Sequence, residues 1–187
     1  MAVDAFMWFN GVNGDVTTIA GETTDKYIET NCASLGTVQK PFSVKEYSFD
    51  VENISTVGSG TGGAGGGKAN FNPLSFTKDV DIASTTLFKC AAVGTHIDEC
   101  YLVMRKAGGT VATLKPYLCF IFRFVFITGL NWAISGDEPI VESGTFMYGA
   151  LKIQYWKQNN KGELVGSPIP GMWNRVNNAH NDTPTYE

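Results

Sequence analysis

Charge is what this chain has least of. Only 17% of its 187 residues are Asp, Glu, Lys or Arg, while 43% are hydrophobic, against roughly 25% charged in ordinary soluble domains. A chain with that balance often covers surface by meeting other chains. The net charge of -4 offers no basic footprint for nucleic acid or an anionic membrane, so neither partner is expected. Histidine is nearly absent: His96 and His180 are too few for a typical catalytic zinc site, and no acidic cluster has calcium-loop spacing. No metal or cofactor is expected. Cys32, Cys90, Cys100 and Cys119 form no CxxC pair and read as reduced thiols partly in a core, not as a disulfide frame. Long apolar runs are missing too. The segment from Tyr117 to Ile127 falls short of the roughly 20 residues a helix needs to span a bilayer, and Arg123 interrupts it. The opening MAVDAFMWFN lacks the basic start and continuous apolar run of an export signal, so no cleaved signal peptide is expected.

What is present is alternation. Val3, Ala5, Met7 and Phe9 interleave with Asp4, Phe6, Trp8 and Asn10, which predicts a strand with apolar side chains on both faces. Gly11 to Asp15 supplies a turn. From Val16 to Pro41 the chain is rich in Thr, Gly, Asn and Ser, and reads as an irregular excursion or insertion with at most one short strand near Tyr27 and Ile28. Alternation returns from Val44 to Ile54, with Tyr47, Phe49 and Val51 on one face. A glycine tract follows from Gly58 to Gly67. Ile82 to Val93 is the best helix, with Ser84, Thr85 or Thr86 as its cap, Leu87, Cys90 and Ala91 on one face, and Gly94 to end it. Further strands are predicted over Tyr101 to Arg105, Tyr117 to Thr128, Thr145 to Trp156 and Met172 to Val176. The fold class is mainly β: one domain over residues 1–187, an antiparallel barrel or sandwich of seven or eight strands with one flanking helix, an extended Gly-rich loop and a flexible tail over 178–187.

The motifs that suggest chemistry fail on context. Gly62 to Lys68 fits the GxxxxGK spacing of a phosphate-binding loop, but Ala69 has no hydroxyl for Mg²⁺, and ANFNPLSF reads as extended chain where a helix is required. Pairs of Cys90 or Cys100 with His96 lack an orienting third residue, so no catalytic residue is expected and the chain is read as a non-enzyme. Phe120, Phe122, Phe124 and Phe126 fall on one strand face and read as packing. Trp8, Trp132, Trp156 and Trp173 could furnish a carbohydrate platform, which keeps a sugar-binding β-sandwich as the alternative from another class.

Several ordered segments together resemble the haemolysin-coregulated protein (Hcp) family of type VI secretion systems. MAVDAFMWFNGVNGD is similar to its opening strand and turn, and KEYSFDVEN to its second strand. The glycine tract with Leu74 to Lys78 resembles its extended loop and the strand after it. Cys90, Gly94 and His96 resemble its helix end, Arg105-Lys106-Ala107-Gly108-Gly109 its hairpin signature, and Gly149 to Tyr155 its last long strand. The resemblance implies a hexameric ring that stacks into a tube, with further copies of itself, sheath and spike proteins and effectors as partners. It implies assembly in the bacterial cytoplasm and then secretion. A contractile phage tail tube or extracellular injection particle shares that architecture and is the nearer alternative. Gly62, Gly63, Gly65, Gly66, Gly67, Lys68, Arg105 and Lys106 are the candidate contacts between subunits or rings.

Overall fold

A computed structural model describes residues 3–13, 18–25, 27–53, 68–106, 115–137 and 139–184. The described elements run β1 (Val3–Val12), α1 (Ile28–Cys32) with a 3-10 turn (Ala33–Leu35), β2 (Phe42–Val44), β3 (Glu46–Ser48), β4 (Val51–Asn53), β5 (Ala69–Phe71), β6 (Leu74–Asp79), α2 (Ile82–Val93), β7 (His96–Lys106), β8 (Leu118–Ala133), β9 (Val141–Gln158) and β10 (Leu164–Asn174). Among the described residues there are ten strands where seven or eight were expected, in part because the run from Val44 is not one strand. It holds the end of β2 and two further short strands, and the three pair differently: β2 with β1, β3 with β6 and β4 with β5. The main sheet follows the order β2-β1-β7-β8-β9-β6-β3, all antiparallel, with β10 on β9. Its two ends, β2 and β3, are separated only by Lys45, whose N–H bonds Thr77 O at 2.8 Å. The sheet therefore curls into a nearly closed barrel.

Inside the barrel sits the main core, built from Met7, Phe9, Leu74, Phe76, Leu102, Phe122, Phe146 and their neighbours. Four central strands share a bend. Along the paired row Asn10, Glu99, Arg123 and Ala150, consecutive core residues stand three apart instead of two: Phe9 to Val12, Ile97 to Cys100, Phe122 to Val125, Tyr148 to Leu151. Two positive φ values mark the bend, Gly11 at 66° and Phe124 at 56°. Inward and outward faces exchange there. The phenylalanine stripe is accordingly divided, contrary to the single face expected: Phe120 and Phe122 pack with the core, whereas Phe124 and Phe126 leave it and stack beside His96, at 4.4 and 5.8 Å between ring centres.

A second core lies on the outer side of β1, β7 and β8. Phe6, Trp8, Tyr101, Val103, Cys119 and Ile121 are covered there by Ile28 and Cys32, with Leu35 and Val38 packed beside them. The cover is the segment read as an irregular excursion. It forms no strand at Tyr27 and Ile28; Asp25 Oδ1 accepts from Tyr27 N at 2.9 Å and opens α1 instead. Ile28 and Cys32, four apart, share the buried side of that helix.

The helix α2 keeps its predicted bounds, and Gly94, at φ 73°, caps its C-terminus with its N–H on Cys90 O. Its N-cap is Asp81, one position before the helix, with Ser84 completing a capping box. The last strand is longer than the expected Met172 to Val176 and tolerates Pro168 and Pro170 because it lies at a sheet edge, with an irregularity between Val165 and Ile169. Residues 178–184, read from the sequence as a tail, return to the barrel. Asn174, fully buried, donates to Asn177, Asn181 and Thr183, and Asp182 pairs with Lys152 at 3.1 Å and with Arg123 at 3.6 Å.

Candidate functional site: buried charge clusters and apolar surfaces

The candidate contact residues separate in space. Gly62, Gly63, Gly65, Gly66 and Gly67 lie outside the described residues. Lys68 is exposed and leads directly into β5, so the lysine of the GxxxxGK pattern opens a strand where a phosphate loop requires a helix. Lys106 is half-buried at the end of β7. Arg105 is only 3% exposed. Its guanidinium binds Asp25 of the excursion and Asp4 of β1, and it stands over the Phe6 ring at 4.8 Å. The Arg105 hydrogen bond holds the Asp25 carboxyl below its ordinary value, against the opposing effect of burial. Arg105 thus ties the outer cover to the barrel.

A second buried cluster carries no sequence motif. Lys78 and Glu142 are fully buried. Lys78 Nζ donates to Asp79 O at 2.9 Å, Ser84 Oγ at 3.0 Å and Asp81, and pairs with Glu142 at 3.2 Å. Ser84 Oγ also donates to Glu142. These bonds fix the start of α2 against β6 and β9. The signal was there in the alternation: Leu74, Phe76 and Lys78 point inward together, as do Glu142, Gly144 and Phe146. Parity placed a lysine and a glutamate in the core, where each required the other.

The nucleophile pairs considered from the sequence do not assemble. Cys90 and Cys100 belong to the main core, while His96 packs among Phe124 and Phe126 outside it. Asn13 Nδ2 stands 3.3 Å from His96 Nδ1, and Asp98 lies 3.5 Å from Nε2. All four cysteines are free and buried. Burial pushes the Cys32 thiol up to about 12 and raises those of Cys90, Cys100 and Cys119, which keeps the nucleophilic thiolate scarce. Among the described residues, no group of three or more His, Cys, Asp or Glu could hold a metal ion.

Among the described residues, two groups of exposed large apolar side chains stand out, besides scattered ones such as Val3, Tyr47 and Val51. On α2 and the adjoining β8–β9 end, Ile82, Phe88, Val93, Trp132, Ile134 and Ile140 are exposed. On β9 and β10, Ile153, Tyr155, Val165 and Ile169 are exposed. Exposed apolar side chains grouped on rigid elements are candidate contact faces.

The architecture is that of a mainly β protein, a nearly closed antiparallel barrel with a packed outer cover. The chain belongs to the family described as type VI secretion system effector, Hcp, whose model matches residues 6–155. Among curated relatives, Protein hcp1 of Pseudomonas aeruginosa is 30% identical over 108 residues, which is 57% of this chain and 65% of that protein. The match therefore spans just under two thirds of the relative's length. Among solved structures, Hcp1 from Salmonella typhimurium superposes with a TM-score of 0.68 at 25% identity, covering 95% of this chain and 98% of that one. A structure described as a type six secretion system protein superposes with a TM-score of 0.76 at 24% identity, covering 95% and 99%. The fold is that of the Hcp structures, as the resemblance implied.

Proposed function

We propose that this chain is the tube subunit of a type VI secretion system. Six copies close into a ring, rings stack into the inner tube, and sheath, spike and lumen-borne effectors are its partners. The subunit assembles in the cytoplasm, is expelled with the tube, and performs no catalytic step. The observation that carries the reading is the pair of apolar surfaces, one on α2 and the β8–β9 end and one on β9–β10, in a chain of this family. A ring needs two different faces per subunit, because each copy meets its neighbours head to tail. Gly62, Gly63, Gly65, Gly66, Gly67, Lys68, Arg105 and Lys106 are the candidate contacts between subunits or rings, with the buried Arg105 acting by holding the subunit's shape.

Light scattering coupled to size exclusion tests the ring. The expected mass is six times the 20.3 kDa of one chain, and a stable monomer at high concentration contradicts the proposal.

A further inference from the structure

All four tryptophans have neighbours within the chain. Trp8 is buried in the second core, stacked on Tyr101 at 4.9 Å and 2°. Trp173 packs against the main core, and Trp132 stands beside Phe88. Trp156 differs. It packs against the second core and also lines a cleft of about 550 Å³ between the outer cover and the β9–β10 pair. The other three clefts described are about half that volume or less, at 250 to 280 Å³.

The chemistry of the lining is specific. Thr30, Asn31 and Ser34, from α1 and the turn after it, bring two hydroxyls and an amide to one side. Trp156 brings an indole to the other. Among the described residues of the lining, Lys115 is the one that is charged, and no carboxylate accompanies it. At Gly166 the chain takes φ 75°, and no heavy atom comes within 4 Å of where a Cβ would stand, so this side of the cleft is open.

We propose that this cleft binds a sugar acid, a hydroxylated six-membered ring carrying a carboxylate. The C–H face of such a ring lies on the indole, its hydroxyls meet donors and acceptors that can serve either role, and its carboxylate meets the lone ammonium. The volume is within the 300–1,000 Å³ typical of small-ligand sites. Because α1 and its turn supply part of the lining, a ligand there binds the folded cover and stabilises it. The inference does not depend on ring formation, which native mass reports separately.

The test uses the full chain labelled with 5-fluorotryptophan and followed by ¹⁹F NMR, with glucuronate as the probe. One of the four tryptophan resonances, identified by its loss in Trp156→Phe, should shift saturably. Glucose, which lacks the carboxylate, should bind about tenfold more weakly, and Lys115→Ala should weaken glucuronate by about the same factor, with Lys115→Arg restoring it. Melting temperatures of the variants confirm that each is folded. An oligogalacturonate titration separates the two sources of this chemistry: comparable binding points to a polymer unit entering through the open side, and exclusion points to the free acid. Absence of a saturable shift at millimolar glucuronate overturns the proposal, as does an equal response to glucose or indifference to Lys115→Ala.

Discussion

The two cores of this barrel are built by opposite means. The main core is enclosed mostly by strands: pairing along most of their length, they bury Phe9, Phe76, Phe122 and Phe146 between them, with Ala83, Leu87 and Cys90 of α2 packed in, and Phe122 and Phe146 meet edge to face at 5.2 Å. The outer core has strands on one side only. Its other side is a five-residue helix and a turn, placed by Arg105 on Asp25 and by Asn10 Nδ2 on Thr37 O at 2.8 Å. A helix that short has little stability of its own. The difference teaches that the inner core is held by long-range strand pairing and the outer one by burial under a cover that must be latched.

Replacing a side chain in each core sharpens the contrast. Phe122→Ala should cost about 3–5 kcal/mol, measured by denaturant unfolding, and should lower the stability of the whole barrel. Ile28→Ala should cost about 2 kcal/mol, at the low end for such truncations, because the cover can open without the barrel following. Equal global losses from the two would erase the distinction.

The buried ion pair inside the barrel breaks differently from either. Lys78→Ala leaves Glu142 buried and unpaired, a loss of about 3–5 kcal/mol, whereas Lys78→Met with Glu142→Leu should recover most of it. Should the double variant prove as unstable as the single one, the shape of the site and not its charge balance would be what matters.

Acid should act on the cover first. The Asp25 carboxyl is held below its ordinary value of 3.8, first by the Arg105 hydrogen bond. A lowered folded-state value means that the latch contributes fully above the unfolded carboxylate's range and is lost as pH falls through the lower folded value. Below about pH 3.8 the fluorescence of Trp8, stacked under the cover on Tyr101, should change before barrel unfolding. Asp25→Asn should remove that early step. Its persistence in the variant would assign it to another group.

Much of this was legible in the sequence, and the misses have common causes. The strand pattern, the bounds of α2 and its Gly94 stop follow from short-range periodicity and backbone preference, which a local window contains. The apolar residues on both faces of β1 were visible as alternation, but that Phe6 and Trp8 belong to a second core while Met7 and Phe9 fill the main one is seen only in the fold. The cover itself was not legible. Ile19, Ile28, Cys32, Leu35 and Val38 are too widely and unevenly spaced to show a period, yet each meets a core, so the segment read as an irregular excursion packs on its own barrel in its described part. The division of the phenylalanine stripe escaped for a related reason. Strict alternation assumes a regular strand, and Phe124 at positive φ ends that regularity at one position. Lys78 and Glu142 are 64 residues apart, and only the pairing of β6 with β9 joins them.

Native-state hydrogen exchange, resolved by residue, tests most directly whether the outer core is a separable cover. Amides of α1, such as Asn31 N–H on Tyr27 O, should exchange through a local opening of low free energy, while those of Leu102 and Val103 in β7 exchange only with global unfolding. Exchange of α1 at the same free energy as β7 would show that the two cores form one cooperative unit, and would contradict the account.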